Sequence, residues 1–247
     1  LRVVTAIDRK SKALTMTSTD PSKQRAIKSF AIRSGRMTAA QREGLQTHLQ
    51  KWGLSTREGL INCAQVFNND HPTVLEIGFG MGDSLASMAA AEPKKNFMGV
   101  EVHSPGIGRL LSLVASQELH NVRVFDGDAV EILKNNIAPQ SLSRVNIYFP
   151  DPWHKTKHYK RRLIQPEFLS LLHSRLSLGG LLHIATDWQH YANQVLKLLD
   201  EQPQFENIGD QHGCVDAIDF GRPETKFERR GKRLGHGVWD MAFRTTN

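Results

Sequence analysis

TVLEIGFGMGDSLASMAAA, residues 73 to 91, opens with a short apolar run, passes through glycines at 78, 80 and 82, and closes on a helix-forming stretch. Strand, glycine turn and helix in immediate succession form the first half of a βαβ unit. Working outward, short apolar runs recur at 97–102 (FMGVEV), 121–125 (NVRVF), 144–149 (RVNIYF) and 180–185 (GLLHIA). Each strand-like run is followed by a helix-length segment, at 83–91, 105–119, 129–136, 163–176 and 188–200. The alternation predicts an α/β fold with a mostly parallel sheet and helices on both faces. FENIG (205–209) and HGVWDMAFRT (236–245) bring the expected strands to seven, the last of them long and antiparallel. Upstream, Thr38-Ala-Ala-Gln41 has capping-box spacing and predicts a helix to about Trp52.

The chain has 247 residues, 39% hydrophobic and 23% charged, ordinary values for one soluble catalytic-sized domain. No apolar run approaches the ~18 residues of a membrane helix, so a membrane partner is not expected. Cys63 and Cys214 are too few for a disulfide framework and lie outside any zinc-like spacing, which points to a reducing cytoplasm and to no metal. The formal charge of +7 is concentrated at one end. Residues 1–36 carry nine basic groups against Asp8 and Asp20, so the remainder of the chain is formally neutral. Residues 1–27 are expected to be a basic, disordered arm and 28–247 a single domain. An arm of this kind either contacts nucleic acid or serves as a solubilising tail.

Glycines at the first βα turn let the backbone approach a ligand at the carboxyl edge of the sheet. The spacing here is GxGxG, with Glu76 ahead of Gly78, Gly80 and Gly82, rather than the GxGxxG of a dinucleotide site. A carboxylate in that place repels a pyrophosphate and suits a ligand with a cationic end, such as S-adenosylmethionine. Glu101 closes the second strand, where a carboxylate can accept both ribose hydroxyls of an adenosine. Asp128, after the third strand, suits an adenine amino group, and Asp128-Ala-Val-Glu131 is also a helix capping box.

At the fourth strand end stands FPDPWHKTKHYKRR, residues 149–162. Proline on both sides of Asp151 restricts the backbone and holds the carboxylate in a nearly fixed direction. A fixed acid beside a methyl-donor pocket can orient a nucleophile or stabilise charge that forms on it; the other reading is a rigid turn with Trp153 as a packing anchor. Five cations follow (Lys155, Lys157, Lys160, Arg161, Arg162), with His158 and Tyr159 among them and no acid before Glu167. Beside an active-site turn they make a phosphate-binding surface; elsewhere they are a solvated loop. Asp187, after the fifth strand, either caps the next helix or accepts the Watson–Crick donors of guanine, and Thr225 and Glu228 offer the same chemistry. Trp153 and Trp188 are candidates for stacking on a base.

Together, EIGFGMG (76–82), GVEV (99–102), FDGDA (125–129), YFPDPWHKTKHYKRR (148–162), ATD (185–187) and TKFERRG (225–231) closely resemble the bacterial tRNA (guanine-N7-)-methyltransferase family, from about Lys28 to the C-terminus. The resemblance implies a Rossmann-like class I methyltransferase fold, S-adenosylmethionine as cofactor and tRNA as partner, with no obligatory protein partner inferred. It implies methyl transfer to N7 of a variable-loop guanine. By the same resemblance, Glu76, Gly78, Gly80, Gly82, Glu101, Asp128 and Asp151 bind the cofactor, and Asp151 is also catalytic. Lys155, Asp187, Thr225, Lys226, Phe227 and Glu228 match substrate-binding positions, and Lys157, His158, Tyr159, Lys160, Arg161 and Arg162 match an RNA-contact segment. Three rivals remain at this stage: a dinucleotide-dependent oxidoreductase, a methyltransferase for another nucleic acid or protein, and a non-enzymatic RNA-binding subunit.

Overall fold

A computed structural model of the chain describes residues 29–30, 36–225, 228–229, 233, 235 and 237–247. The expected basic arm therefore lies outside the described residues. In chain order the elements are α1 (Ala39–Trp52), β1 (Gly53–Leu54), α2 (Cys63–Phe67), β2 (Thr73–Ile77), α3 (Asp83–Ala91), β3 (Asn96–Glu101), α4 (Ser104–Ser116), β4 (Val122–Asp126), α5 (Ala129–Asn135) and β5 (Leu142–Tyr148). A 3-10 helix (Thr156–Arg161), α6 (Pro166–Arg175), β6 (Leu176–Thr186), α7 (Gln189–Asp200), β7 (Phe205–Asn207) and β8 (Trp239–Thr245) follow.

All eight strands join one sheet in the order β1-β4-β3-β2-β5-β6-β8-β7. The pairs from β1 to β6 are parallel, and β8 runs antiparallel between β6 and β7. The expected α/β class stands, with an eighth strand added at the edge. That strand, β1, is two residues long, too short to register as an apolar run, and pairs Gly53 with Val124 and Leu54 with Phe125.

Every residue of β2 and β3 is buried, because helices cover both faces of the sheet. Side chains alternate across a strand, and two cores result. Leu75, Ile77, Val145, Ile147, Leu182 and Ile184 pack with α5, α6 and α7 on one face. Val74, Phe97, Val122 and Val124 pack with α3 and α4 on the other. By the same alternation Glu76, Arg144, Asn146, Tyr148 and His183 point to the second face, across registered pairs Glu76–Asn146, Asn146–His183 and Tyr148–Ala185. One face of the central sheet is thus apolar near its ends and polar through its middle.

The capping box of α1 is formed: Gln41 N–H donates to Thr38 Oγ1 at 3.2 Å, and Thr38 N–H donates to Gln41 Oε1 at 2.9 Å. Helices α1 and α4 meet backbone to backbone. A Cβ on Gly108 would lie 2.0 Å from the Gln41 carbonyl oxygen, and one on Gly44 would lie 2.2 Å from the Gly108 carbonyl oxygen. Neither carbonyl can move without shifting a helix, so Gly108→Ala is expected to destabilise the protein by about 1–3 kcal/mol. Urea unfolding measures this, and an unchanged midpoint contradicts so close a contact.

Candidate active site

Strand order reverses beside β2, with β3 on one side and β5 on the other, and their carboxyl ends open a crevice there. Gly78, Gly80 and Gly82 follow β2 with φ of 74°, 57° and 77°, the left-handed region that glycine enters without strain. A Cβ on Gly78 or Gly80 would meet nothing within 4 Å, so their bare backbones face open space. A Cβ on Gly82 would lie 2.6 Å from Leu110 Cβ, which makes that glycine a packing residue between α3 and α4. Cofactor contact assigned to Gly82 thus competes with a sufficient structural reason.

Glu101, at the end of β3, clamps the glycine turn. Its carboxylate accepts the N–H groups of Gly80 (2.8 Å), Val102 (2.7 Å) and His103 (3.0 Å). A carboxylate has about four acceptor positions, so room remains for one ribose hydroxyl rather than the two expected. The Asp128 side chain accepts the Val130 N–H at 2.9 Å as the N-cap of α5, and the residue also lines the crevice.

Glu101, Asp128 and Asp151 surround a cavity of about 410 Å³, with apolar walls from Ile77, Val100, Ile147 and Leu163. Gly78, Gly80, Tyr148 and Phe149 also border a second cavity of about 590 Å³, which Glu76, Thr225 and Arg229 line. The two form one bilobed cleft about the glycine turn and the β5 end.

Glu76 is 2% exposed, and its Oε2 has no hydrogen-bond partner. Burial pushes its carboxyl from the ordinary 4.5 up to about 8, against the pull of the Arg144 guanidinium. An orphaned acceptor at the bottom of an open cleft is a socket for a donor, and an ammonium group fills it best. Beside it runs a buried chain of polar groups. Arg144 donates to Asn146 Oδ1 at 2.7 Å and to the Tyr148 hydroxyl at 3.2 Å. Burial lowers the His183 pKa, so the ring is neutral; its Nε2–H donates to Asp240 Oδ1 at 2.8 Å, leaving Nδ1 to accept from Arg144 at 2.9 Å. Arg222 donates to Asp240 Oδ1 and Oδ2 (2.7 and 2.6 Å) and to Glu228 Oε2 and Oε1 (2.6 and 3.1 Å).

The Asp151 turn is more constrained than its prolines alone imply. Phe149 and Trp153 flank it at φ 51° and 43°, a region that costs a bulky residue about 1–3 kcal/mol. Surrounding bonds enforce it. Phe149 N–H donates to the Ala185 carbonyl at 2.8 Å, Arg162 Nε donates to the Pro152 carbonyl at 2.7 Å, and the Trp153 indole N–H donates to the Ser29 carbonyl at 3.1 Å. Asp151 itself is exposed at the cavity rim.

The cation segment divides. Lys155, Lys157 and Lys160 are exposed, and His158 and Tyr159 are half-buried. Arg161 stacks 4.1 Å over the Trp153 ring. Arg162, expected to contact RNA, is 1% exposed, bonded to Pro152 and Gln194 and stacked 3.8 Å over Tyr159. Its position corrects that expectation: it braces the turn from behind. Glu228, matched to a substrate-binding position, is 4% exposed with both oxygens on Arg222. Asp187 does not cap α7, whose N-cap is Trp188 with no side-chain cap bond, so the guanine-reading alternative keeps its group. Thr225 lines the second cavity while its hydroxyl accepts the Glu228 N–H at 3.0 Å. Lys226 and Phe227 lie outside the described residues. Trp153 is engaged by Ser29 and Arg161, whereas Trp188 is 40% exposed beside His154 at 4.4 Å. Sequence reading missed Arg144, Tyr148, His183, Arg222 and Asp240, although Arg144 and His183 sit within strand runs that should be apolar throughout.

Among the described residues no helix is long and apolar enough to cross a membrane, and no group of three or more His, Cys, Asp or Glu side chains is placed to hold a metal ion. Residues 70–241 match a family profile described as "Putative methyltransferase". The chain is 50% identical over 220 residues to a tRNA (guanine-N(7)-)-methyltransferase of Stutzerimonas stutzeri, covering 89% of this chain and 92% of that protein. It is 51% identical over 219 residues to one of Pseudomonas syringae pv. syringae, covering 89% of each. Among solved structures, the 16S rRNA methyltransferase KamB superposes with a TM-score of 0.54 at 12% identity, over 87% of this chain and 97% of that one. The aminoglycoside resistance methyltransferase NpmB1 superposes at 0.51 and 14%, over 79% and 95%. At those identities the likeness is one of fold.

The Glu76 carboxyl has a pH signature. Its folded value, about 8, lies above the ordinary 4.5, so the native protein holds a proton that the unfolded chain releases. Its contribution to stability therefore declines as pH rises from about 4.5 through about 8. Glu76→Gln removes that decline, so the variant should gain on the wild type between pH 5 and pH 9 by about 1 kcal/mol or more. Denaturant unfolding at the two values checks this, and a constant difference contradicts it.

Proposed function

The chain belongs to the tRNA (guanine-N(7)-)-methyltransferase family, and from that premise we propose that it transfers a methyl group from S-adenosylmethionine to N7 of a guanine in the variable loop of tRNA. Residues 28–247 act in this reading as one cytoplasmic methyltransferase domain. The observation that carries it is the convergence of Glu101, Asp128 and Asp151 on one lobe of the cleft, with Glu76 orphaned in the other.

The donor suits these residues in each of its parts. Asp128 and the apolar walls formed by Val100 and Ile147 would hold the adenine, Glu101 a ribose hydroxyl, the bare backbone at Gly78 and Gly80 the linking chain, and Glu76 the ammonium end. Bound there, the donor supplies an electrophilic methyl group on a positively charged sulfur. It carries no phosphate, so Glu76 favours it over a dinucleotide, which argues against the oxidoreductase.

Guanine N7 is an unprotonated acceptor on the major-groove edge of the base, so no residue has to remove a proton before attack. The work of the chain is to align the base with the methyl group. The methylated ring gains a positive charge, and the Asp151 carboxylate, fixed in direction at the rim, stabilises that charge as it develops. Lys155, Lys157 and Lys160, exposed in the segment that follows Asp151, meet the phosphates that carry most of the affinity for RNA. Asp187 reads the opposite edge of the guanine.

Transfer to tRNA in which 7-deazaguanine replaces the target guanine tests the reaction. Methylation of the guanine substrate alone is expected, and equal incorporation into both overturns the N7 assignment. Asp151→Asn should lower kcat on the order of 100-fold with an unchanged melting temperature; near-normal turnover removes Asp151 from catalysis. Lys157→Glu with Lys160→Glu should weaken tRNA binding and reduce the slope of log affinity against log salt by about one per residue. Arg162→Met should instead lower turnover about ten-fold or more, through misplacement of the turn, and hold tRNA affinity within about two-fold. Equal loss of affinity in the two variants contradicts the division of the segment.

A further inference from the structure

Part of the first lobe's wall comes from neither the strands nor the turns that follow them. Ser29 and Phe30, ahead of α1, line that lobe together with Glu101, Asp128 and Asp151, while the second lobe is lined by other residues. Both are half-buried. The bond that holds this pair in place comes from far along the chain: the Trp153 indole N–H donates to the Ser29 carbonyl at 3.1 Å, across a separation of 124 residues. Trp153 is itself half-buried and leaves the Asp151 turn at φ 43°. Its ring is engaged by protein groups, with the Arg161 guanidinium stacked at 4.1 Å and the His158 ring edge-on at 5.8 Å.

We infer that Phe30 is a further donor-contacting residue, on the nucleoside, and that Trp153 is a positioning residue whose indole N–H holds the Ser29–Phe30 pair as a wall of the first lobe. The inference rests on the methyltransferase reading of the cleft, and it settles Trp153 as an anchor instead of a platform for the target base. An aromatic wall suits the flat face of an adenine. It also keeps water from the Glu101 and Asp128 carboxylates, and the bonds they make to the nucleoside are stronger for that. Because one residue carries both the bond to Ser29 and the backbone strain beside Asp151, the donor's wall and the catalytic turn share a single frame.

Full-length wild type, Trp153→Phe, Phe30→Ala, their double variant and Glu76→Gln are compared by calorimetry with S-adenosylmethionine and with 5′-methylthioadenosine, which keeps the nucleoside and sulfur but lacks the amino-acid end. Phenylalanine keeps a ring for Arg161, removes only the N–H, and already occupies the same backbone region at Phe149. Trp153→Phe should weaken S-adenosylmethionine binding about five-fold and raise the donor KM in step, with kcat at saturating donor within about two-fold. Phe30→Ala should weaken binding of both ligands by the same factor, about ten-fold, whereas Glu76→Gln should weaken S-adenosylmethionine alone. The double variant should bind the donor about as weakly as Phe30→Ala, because the bond has value only through the wall it holds. Donor affinity within about two-fold of wild type in either single variant, additive losses in the double variant, a Phe30→Ala loss confined to S-adenosylmethionine, or a Trp153→Phe loss in kcat with donor KM unchanged overturns the inference. Where Trp153→Phe fails to melt cooperatively, Phe30→Ala on the two ligands decides; where 5′-methylthioadenosine binds the wild type too weakly to titrate, additivity decides. Failure of the wild type to bind S-adenosylmethionine overturns the methyltransferase reading itself.

Discussion

Parallel strands all end at the same edge of a sheet, and the site depends on that constraint. Because β2, β3, β4 and β5 run side by side in one direction, groups at or just beyond their ends have a single edge to occupy. The glycine turn, Glu101, Asp128 and Asp151 come from four separate stretches of chain, yet they border one cleft without any long loop to gather them. The reversal of strand order beside β2 then provides the opening between the first and last of these elements.

A second constraint is charge. The α3 and α4 face of the sheet buries Glu76, Arg144, His183, Asp240, Arg222 and Glu228 close together. Burial alone would push the Asp240 carboxyl up, but bonds from His183 and Arg222 outweigh it and hold the group below its usual range. The same bonds, seen from Arg222, raise its pKa against the effect of burial. With His183 neutral, two guanidinium groups balance two carboxylates, and among the described residues of this cluster Glu76 is left as the acid without a partner. A protonated Glu76 keeps the ligand-free cluster neutral; an ammonium in the cleft permits its ionisation at no net change of local charge.

The fold was legible because its signals are local. Apolar runs, a capping box at Thr38 and glycines after a strand each report on a few neighbouring residues, and the observed elements fall where those signals lie. The strand β1 escaped because two residues carry no period. The acids at strand ends were legible for the same reason as the strands themselves. What sequence spacing could not reveal was partnership at long range: Glu228 meets Arg222 inside the protein, and Arg162 turns inward to Pro152 and Gln194. A basic run looks uniform in sequence, yet a 3-10 helix points successive side chains in different directions, so Lys160 and Arg162 end in solvent and core respectively. A signal for the polar face did exist. Arg144, Asn146 and Tyr148 alternate with Val145 and Ile147 along β5, a period-two pattern that a strand covered on both sides has no reason to show unless one face has polar work.

The central claim is that the donor nucleoside sits on the strand ends with its cationic amine against Glu76. Calorimetric titration of S-adenosylmethionine at pH 7, in buffers of different ionisation enthalpy, tests it most directly. The account predicts that close to one proton leaves the wild-type protein on binding and that this release disappears in Glu76→Gln. Tight binding with no proton released by the wild type, and with equal affinity in the variant, would contradict it.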